Sequence, residues 1–224
     1  MNINGVVVKI KRHKHLVVLM FIAITAIISL YFYANNHIVA SLSSGYLVSF
    51  IFWLMVIFLP GILEKHALKK QMIVVYLEFK DRILSELLWI SKVHFEVKKQ
   101  LKKGEIKFEY FFSEKTSSTK KRWHDVMNTL EDDLYRRDVI LTEMLTLYES
   151  FVYYLLRIKS HNCGAQIRLQ YLNHEILRVN RIFKFKGYDE VKYLCAFLWD
   201  MFSESDQCTG KYNPDWVISV IKKL

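Results

Sequence analysis

Two stretches near the start of the chain are almost wholly apolar, Leu16 to Tyr33 and Tyr46 to Leu63, each 18 residues long. As helix, such a run extends about 27 Å, close to the roughly 30 Å hydrocarbon core of a bilayer. Between them, Ala34 to Gly45 carries Asn35, Asn36, His37, Ser41, Ser43 and Ser44, which predicts a polar loop that closes a helical hairpin. Beyond Glu64 the pattern becomes periodic. Leu68, Met72, Tyr76, Phe79, Ile83, Leu87, Ile90, Val97 and Leu101 recur at helical spacing, with His94 the one polar member. From Gly104 to Thr119 the residues Ile106, Phe108, Tyr110 and Phe112 alternate with Lys107 and Glu109, the pattern of a short strand or an extended loop.

The longest periodic signal comes next. Met127, Leu130, Leu134, Arg137, Leu141, Met144, Tyr148, Phe151, Leu155 and Ile158 step by three and four throughout, which predicts one helix from about Lys120 to Ser160 with a coiled-coil-like seam. Leu141, Met144, Tyr148, Phe151 and Leu155 are the candidate residues for self-association into a homo-oligomer through that seam. The alternative is the core stripe of a single-chain bundle. Arg137 interrupts the stripe beside Asp133 and Asp138, which suits an ion pair. Further helices are expected from Ala165 to Phe183 and from Asp189 to Phe202, and a last one after Asn213 as cap and Pro214 as first residue. The fold class read from this is all-α: an N-terminal two-helix transmembrane hairpin followed by a cytoplasmic helical bundle with one long coiled-coil-like helix.

Charge sharpens the picture. The 224 residues include 32 Lys and Arg against 22 Asp and Glu, and positions 15 to 63 carry none of the four. Lys9, Lys11, Arg12 and Lys14 precede that gap, Lys65, Lys69 and Lys70 follow it, and every acidic residue lies beyond it. Cations are retained on the cytoplasmic side of a membrane, so both termini are expected there, with residues 1–15 a basic leader, 16–63 the transmembrane hairpin and 64–224 the cytoplasmic domain. A cleaved signal peptide is the competing reading of the first run, but 18 apolar residues exceed a signal core of about 7–15 and a second run follows. A buried hairpin of a soluble protein is the other. The absence of ionisable side chains in either run argues against a transporter or proton relay. Ala23, Thr25, Ala26 and Ser29 form a stripe of small residues that lets another helix approach closely. Pro60 and Gly61 predict a kink near the end of the second run. Two prolines and seven glycines are too few for an all-β chain of many tight turns. Cys163, Cys195 and Cys208 are too scattered for a disulfide framework.

Chemical motifs are sparse. The sequence has no glycine-rich phosphate loop, no Gly-x-Ser-x-Gly, no His-Glu-x-x-His and no Cys-x-x-Cys, so neither a catalytic residue nor a metal or cofactor site is assigned. His124 with Asp125 matches the dipeptide of helical metal-dependent phosphohydrolases, with His94 and Asp200 as companions, and this makes a membrane-bound phosphohydrolase one alternative. The acidic triplet Glu131, Asp132, Asp133 points in different directions on a helix and reads as a solvated face. Cations cluster three times: Lys98, Lys99, Lys102 and Lys103; Lys120, Lys121 and Arg122; and Arg178, Arg181, Lys184 and Lys186 around Phe183 and Phe185. The second cluster sits at the helix end where cations are disfavoured. These residues are candidates for an anionic partner, either lipid headgroups or a nucleic-acid backbone.

A short exterior loop, two uncharged spans and a basic helical body resemble the two-span effector proteins of bacterial antiphage systems, particularly those paired with retrons. The resemblance covers the whole chain and is architectural, and no functional residue is carried over from it. It implies a toxin of the bacterial inner membrane, restrained by a reverse transcriptase with its DNA–RNA hybrid and released on infection to permeabilise the membrane. A membrane-tethered scaffold or adaptor is the alternative from the interaction class.

Overall fold

The computed structural model describes residues 14–32, 36–93, 95–115, 121–158, 162–183, 188–204, 213 and 215–224. Among them every regular element is helical, and the one extended feature is an isolated bridge between Lys115 and Lys121. The helices are α1 (Lys14–Phe32), α2 (His37–Trp53), α3 (Leu59–Ile90), α4 (Phe95–Lys103), α5 (Phe108–Ser113), α6 (Arg122–Asp132), α7 (Leu134–Arg157), α8 (Cys163–Ile182), α9 (Tyr188–Phe202) and α10 (Trp216–Lys223). The chain forms two compact units, Met1–Glu64 and Lys65–Leu224.

In the first unit the described part of the polar loop expected over Ala34 to Gly45 is helical from His37 onward, Ala34 and Asn35 lying outside the described residues. Asn36 caps α2, its side chain accepting from the Ile38 and Val39 N–H groups, as an Asn at a helix start does. The serines that suggested a loop, Ser41, Ser43 and Ser44, lie within the helix, and Ser44 donates its hydroxyl to the Ser41 carbonyl, as Ser49 beyond them does to the Gly45 carbonyl. A side chain satisfied this way does not break a helix. Helix α2 continues through a π-helical turn, Leu54–Phe58, directly into α3, so that one helical run extends from His37 to Ile90, 54 residues or about 81 Å. The π turn accounts for Pro60. Proline lacks an N–H and its ring collides with the carbonyl four residues back; just before it, the Leu59 N–H reaches the Leu54 carbonyl, five residues back. Where a kink was expected at Pro60 and Gly61, the helical run continues and the irregularity beside the proline is this π turn.

Helix α1 packs on α2, with Ala23 and Ala26 buried and the Tyr46 hydroxyl donating to the Leu19 carbonyl at 3.2 Å. Of the small-residue stripe, Ser29 is half-buried, and Thr25 is exposed with its hydroxyl on the Ile22 carbonyl.

The second unit is built on one apolar core. Leu68, Met72, Tyr76, Phe79, Ile83 and Leu87 supply it from α3, the face that the spacing predicted. That helix stops at Ile90, since Lys92 takes a left-handed conformation (φ 53°), and α4 follows as a separate element; His94 falls outside the described residues. The expected strand or loop around residue 110 is instead the short helix α5, because Phe108, Phe111 and Phe112 share one helical face and all three are buried. The long helix expected from Lys120 to Ser160 is two helices. Asp133 leaves helical geometry (φ −98°, ψ 91°) and caps α7 through the Arg136 N–H, and an aspartate at this position favours a new helix start over continuation. Before α10, Asp215 is left-handed (φ 49°) and occupies the cap position expected for Asn213, whose backbone carbonyl accepts the Trp216 N–H. In the core α7 packs on α8, α8 on α9 and α10, and α6 on α5, α7 and α9. Tyr76 of α3 meets Phe151 of α7 at 6.4 Å between ring centres.

Candidate functional site

Three features are candidates for function: the apolar surface of the first unit, the cationic clusters, and a cleft in the second unit.

On the first unit, Phe21, Ile24, Ile28, Val48, Phe52 and Met55 are exposed, and α2 buries no residue at all. Among the boundary residues of the two apolar runs, Leu16 lies in α1, Tyr46 in α2 and Leu63, exposed, in α3, whereas Tyr33 lies outside the described residues. Among the described residues two helices are long and apolar enough to cross a membrane, His37–Ile90 and Leu134–Arg157, and Val18–Phe32 is a shorter apolar segment. The first of these has its most apolar window wholly unburied. The second is α7, whose Ile140, Met144, Leu147 and Phe151 lie in the core of the second unit. Length and hydropathy alone do not separate these two cases; burial does.

The seam residues are used within the chain. Met144 and Phe151 are fully buried, and Leu141, Tyr148 and Leu155 pack against the same core, as in a single-chain bundle. Leu134, an early member of the stripe, is exposed because the helix restarts there. Arg137 forms no ion pair with Asp133 or Asp138 among the described residues; its guanidinium lies 5.5 Å from the centre of the Phe183 ring.

Six members of the cationic clusters have carboxylate partners: Lys98, Lys99, Lys102, Lys103, Arg122 and Arg178. Lys98 reaches Asp81 at 2.9 Å and the Ser85 hydroxyl at 2.7 Å, and Lys102 reaches the same carboxylate. Partial burial pushes the Asp81 carboxyl up, but the Lys102 and Lys98 ammonium groups together outweigh it and hold the carboxyl below its usual range. Lys99 pairs with Glu96 and Lys103 with Glu105. Arg122 stacks 3.9 Å from the Phe111 ring centre, donates to the Phe111 carbonyl at 2.8 Å and reaches Glu114. Arg178 pairs with Glu175 at 2.7 Å and, with Arg181 and His174, lines a small cavity of about 200 Å³. Lys121 remains exposed at the start of α6; Lys120, Lys184 and Lys186 lie outside the described residues.

Lys121 faces the cleft, a space of about 510 Å³ lined by α6 and α9 with Ser113. Its apolar wall is Trp123, Trp199 and Met127, the two indoles meeting edge to face at 5.2 Å. Phe108 and Phe112 support Trp123 from α5. Lys121, His124 and Lys192 line the cleft with Asp200, whose carboxyl is pushed up by desolvation. At its base, burial pushes the Cys195 thiol up to about 12, so at neutral pH it is a small apolar group and not a thiolate.

The His124 and Asp125 pair is therefore divided. His124 and Asp200 share the cleft, and Asp125 is not among its lining residues. Among the described residues no three His, Cys, Asp or Glu side chains converge as a metal site would need. Trp123, Trp199 and Lys192 were not singled out by the sequence, although Lys192, Cys195, Ala196 and Trp199 recur at three- and four-residue steps on one face of α9. No protein family, no curated protein and no solved structure matches this chain.

Proposed function

We propose that the chain is a membrane-embedded effector of a bacterial antiphage system of the retron type, which permeabilises the inner membrane when an inhibitory partner complex releases it. In this reading α1 and α2 form a transmembrane hairpin, the second unit is cytoplasmic, and both termini lie on the cytoplasmic side. The observation that carries it is the outward-facing apolar surface of a unit with no charged side chain between positions 15 and 63. A folded chain in water does not keep such a surface; in a bilayer it is solvated by lipid tails, and the helical backbone satisfies its own hydrogen bonds. The 54-residue run is far longer than a bilayer is thick, and its first buried member is Leu68, so its apolar first half suits lipid and its second half the cytoplasm.

A single uncharged hairpin encloses no polar path. Permeability then comes from several copies assembling in the membrane, and restraint from the partner, a reverse transcriptase with its DNA–RNA hybrid, acting on the second unit. The test is dye influx into cells after induced expression without any partner. Influx with the intact chain, and none with a chain lacking residues 16–63, is the expected result; full viability and no influx with the intact chain overturns the effector reading.

A further inference from the structure

We propose that the end of the second unit at which the chain enters it binds anionic lipid headgroups, and that the last turn of α10, remote in sequence from the apolar runs, is part of the contact. This rests on the reading that residues 16–63 lie in a bilayer. The start of α3 sets the level. Leu63 closes the second apolar run and Lys70 follows seven residues later in the same helix, about 10 Å of rise. A headgroup layer is about 5–8 Å deep. Side chains on a helix lean towards its N-terminus, so a lysine there reaches back into that layer.

Two hydrogen bonds bring distant parts of the chain to the same level. Lys69 donates to the Lys222 carbonyl at 3.3 Å, and the Asn162 side-chain amide donates to the Lys223 carbonyl at 3.3 Å. Helix α10 therefore ends beside the first turns of α3, and the junction of α7 with α8 meets it there. Lysines in a last helical turn ordinarily serve its open carbonyls. In α10, Lys69 and Asn162 take that role, and the side chains of Lys222 and Lys223 are left exposed. Like exposed Lys70, they form no ion pair among the described residues. Positions 65–77, 150–174 and 216–224, the segments that these contacts join, hold eight Lys and Arg and no Asp or Glu, with Glu64 bordering the first. Apolar groups accompany the cations. Leu156 is 82% exposed and Ile167 62%, on either side of the α7–α8 junction, with Tyr153 exposed a turn before it. Cations mixed with aliphatic and aromatic side chains suit the interfacial layer of a membrane. A nucleic-acid backbone would engage the cations and leave those apolar side chains in water.

The test places the full chain in nanodiscs of phosphatidylcholine alone or mixed with phosphatidylglycerol, and follows acetylation by an uncharged reagent at each lysine by mass spectrometry. An anionic surface keeps an ammonium protonated and so lowers the free amine that reacts. Lys222 and Lys223 should react about five-fold more slowly in the anionic discs, and Lys70 with them. The rates should recover in about 1 M salt, where the screening length falls to about 3 Å. Lys99 and Lys103 are the reference. Their helix is held at Asp81, about 16 Å of helix rise beyond Lys70, which exceeds a screening length of about 8–10 Å, so their rates should not differ between discs. Equal rates for Lys222 and Lys223 in the two discs overturn the inference. So does slowing by duplex DNA added to neutral discs with none by anionic lipid. The transmembrane reading is scored separately, by flotation of the chain with neutral vesicles after an alkaline wash. A chain that does not float overturns that reading and the headgroup contact with it, whereas a chain that floats but shows equal rates overturns the headgroup contact only.

Discussion

The two units use the same residue types in opposite ways. In the second, Phe151, Ile83 and Leu169 have no exposed surface; in the first, Phe21 is 67% exposed and Leu42 72%. Both are helical, and both keep their backbone hydrogen bonds inside the helices. What differs is where the apolar side chains go. The second unit withdraws them from solvent against one another, which is the hydrophobic effect acting within a chain. In the first, among the described residues, α1 buries Ala23 and Ala26 and α2 buries none, so most of their surface needs apolar surroundings from outside the chain. The comparison teaches that mean hydropathy does not assign a helix to a membrane, because α7 passes the same test as the run from His37. The number of neighbours able to cover it decides.

The most severe way to probe this contrast is to remove one ring from each unit. Phe151→Ala should destabilise the second unit by about 3–5 kcal/mol, since a fully buried ring leaves a cavity. Phe21→Ala should leave the same unfolding transition within about 0.5 kcal/mol. Denaturant unfolding in detergent, followed through the tryptophans, measures both. Equal losses would abolish the distinction between the units.

Next in size is a charge on the outward face of α1. Ile24→Asp places a carboxylate where lipid is proposed, at about 2.5–3.5 kcal/mol for a residue at mid-membrane. The fraction of chain retained in membranes after an alkaline wash should fall markedly. An undiminished fraction would mean that the exposed face does not meet lipid.

A smaller effect is expected where the second unit uses charge to fix two helices. Arg136 of α7 donates to Glu86 of α3 at 2.6 Å, and its guanidinium lies 3.4 Å from the centre of the Trp89 ring. Arg136→Ala should cost about 1–2 kcal/mol in the same unfolding experiment, and Arg136→Lys should recover only part of it, because an ammonium cannot both stack and donate in the same plane. Full recovery by lysine would reduce the contact to charge alone.

Much of this architecture was legible in the residues, for identifiable reasons. The core face of α3 was readable because Leu68 through Leu87 repeat without interruption, and periodicity of that length has few competing explanations. Boundaries were read less well. Asn36 and Asp133 each begin a helix by capping it, yet the first stood inside what looked like a loop and the second inside what looked like one continuous stripe. In both places a local side-chain hydrogen bond outweighed the pattern of the wider window. Phe108, Phe111 and Phe112 misled differently, since alternation with Lys107 and Glu109 over so few residues fits a strand as well as a helical turn. Lys98 and Lys102 looked available in sequence because their counterion lies far along the chain: Asp81 is drawn to them only once α3 and α4 pack, whereas Glu96, Glu105 and Glu175 were close enough in sequence to be read as partners of Lys99, Lys103 and Arg178. The cleft had no local signature, as its two indoles are 76 positions apart, Trp123 and Trp199.

The finest test contrasts two aspartates within the second unit, one held by partners and one merely desolvated. The Asp81 carboxyl is lowered, so the folded state binds its proton more weakly than the unfolded chain; its stabilisation is present above the unfolded value near 3.9 and lost as pH falls through the lower folded value. The Asp200 carboxyl is raised, so the folded state binds its proton more tightly; its contribution is present below the unfolded value and lost as pH rises through the higher folded one. Asp81→Asn should therefore lower the unfolding midpoint at pH 7 and converge with the unaltered chain in acid. Asp200→Asn should raise the midpoint slightly at pH 7, and that gain should vanish in acid. Both carboxyls retain contact with water, which limits each effect to a few tenths of a kcal/mol. Melting curves of the two variants from pH 3 to pH 7 measure the signs directly. If Asp200→Asn lowers the midpoint at neutral pH, the carboxylate is engaged by a partner in the cleft, and its setting there is not one of desolvation alone.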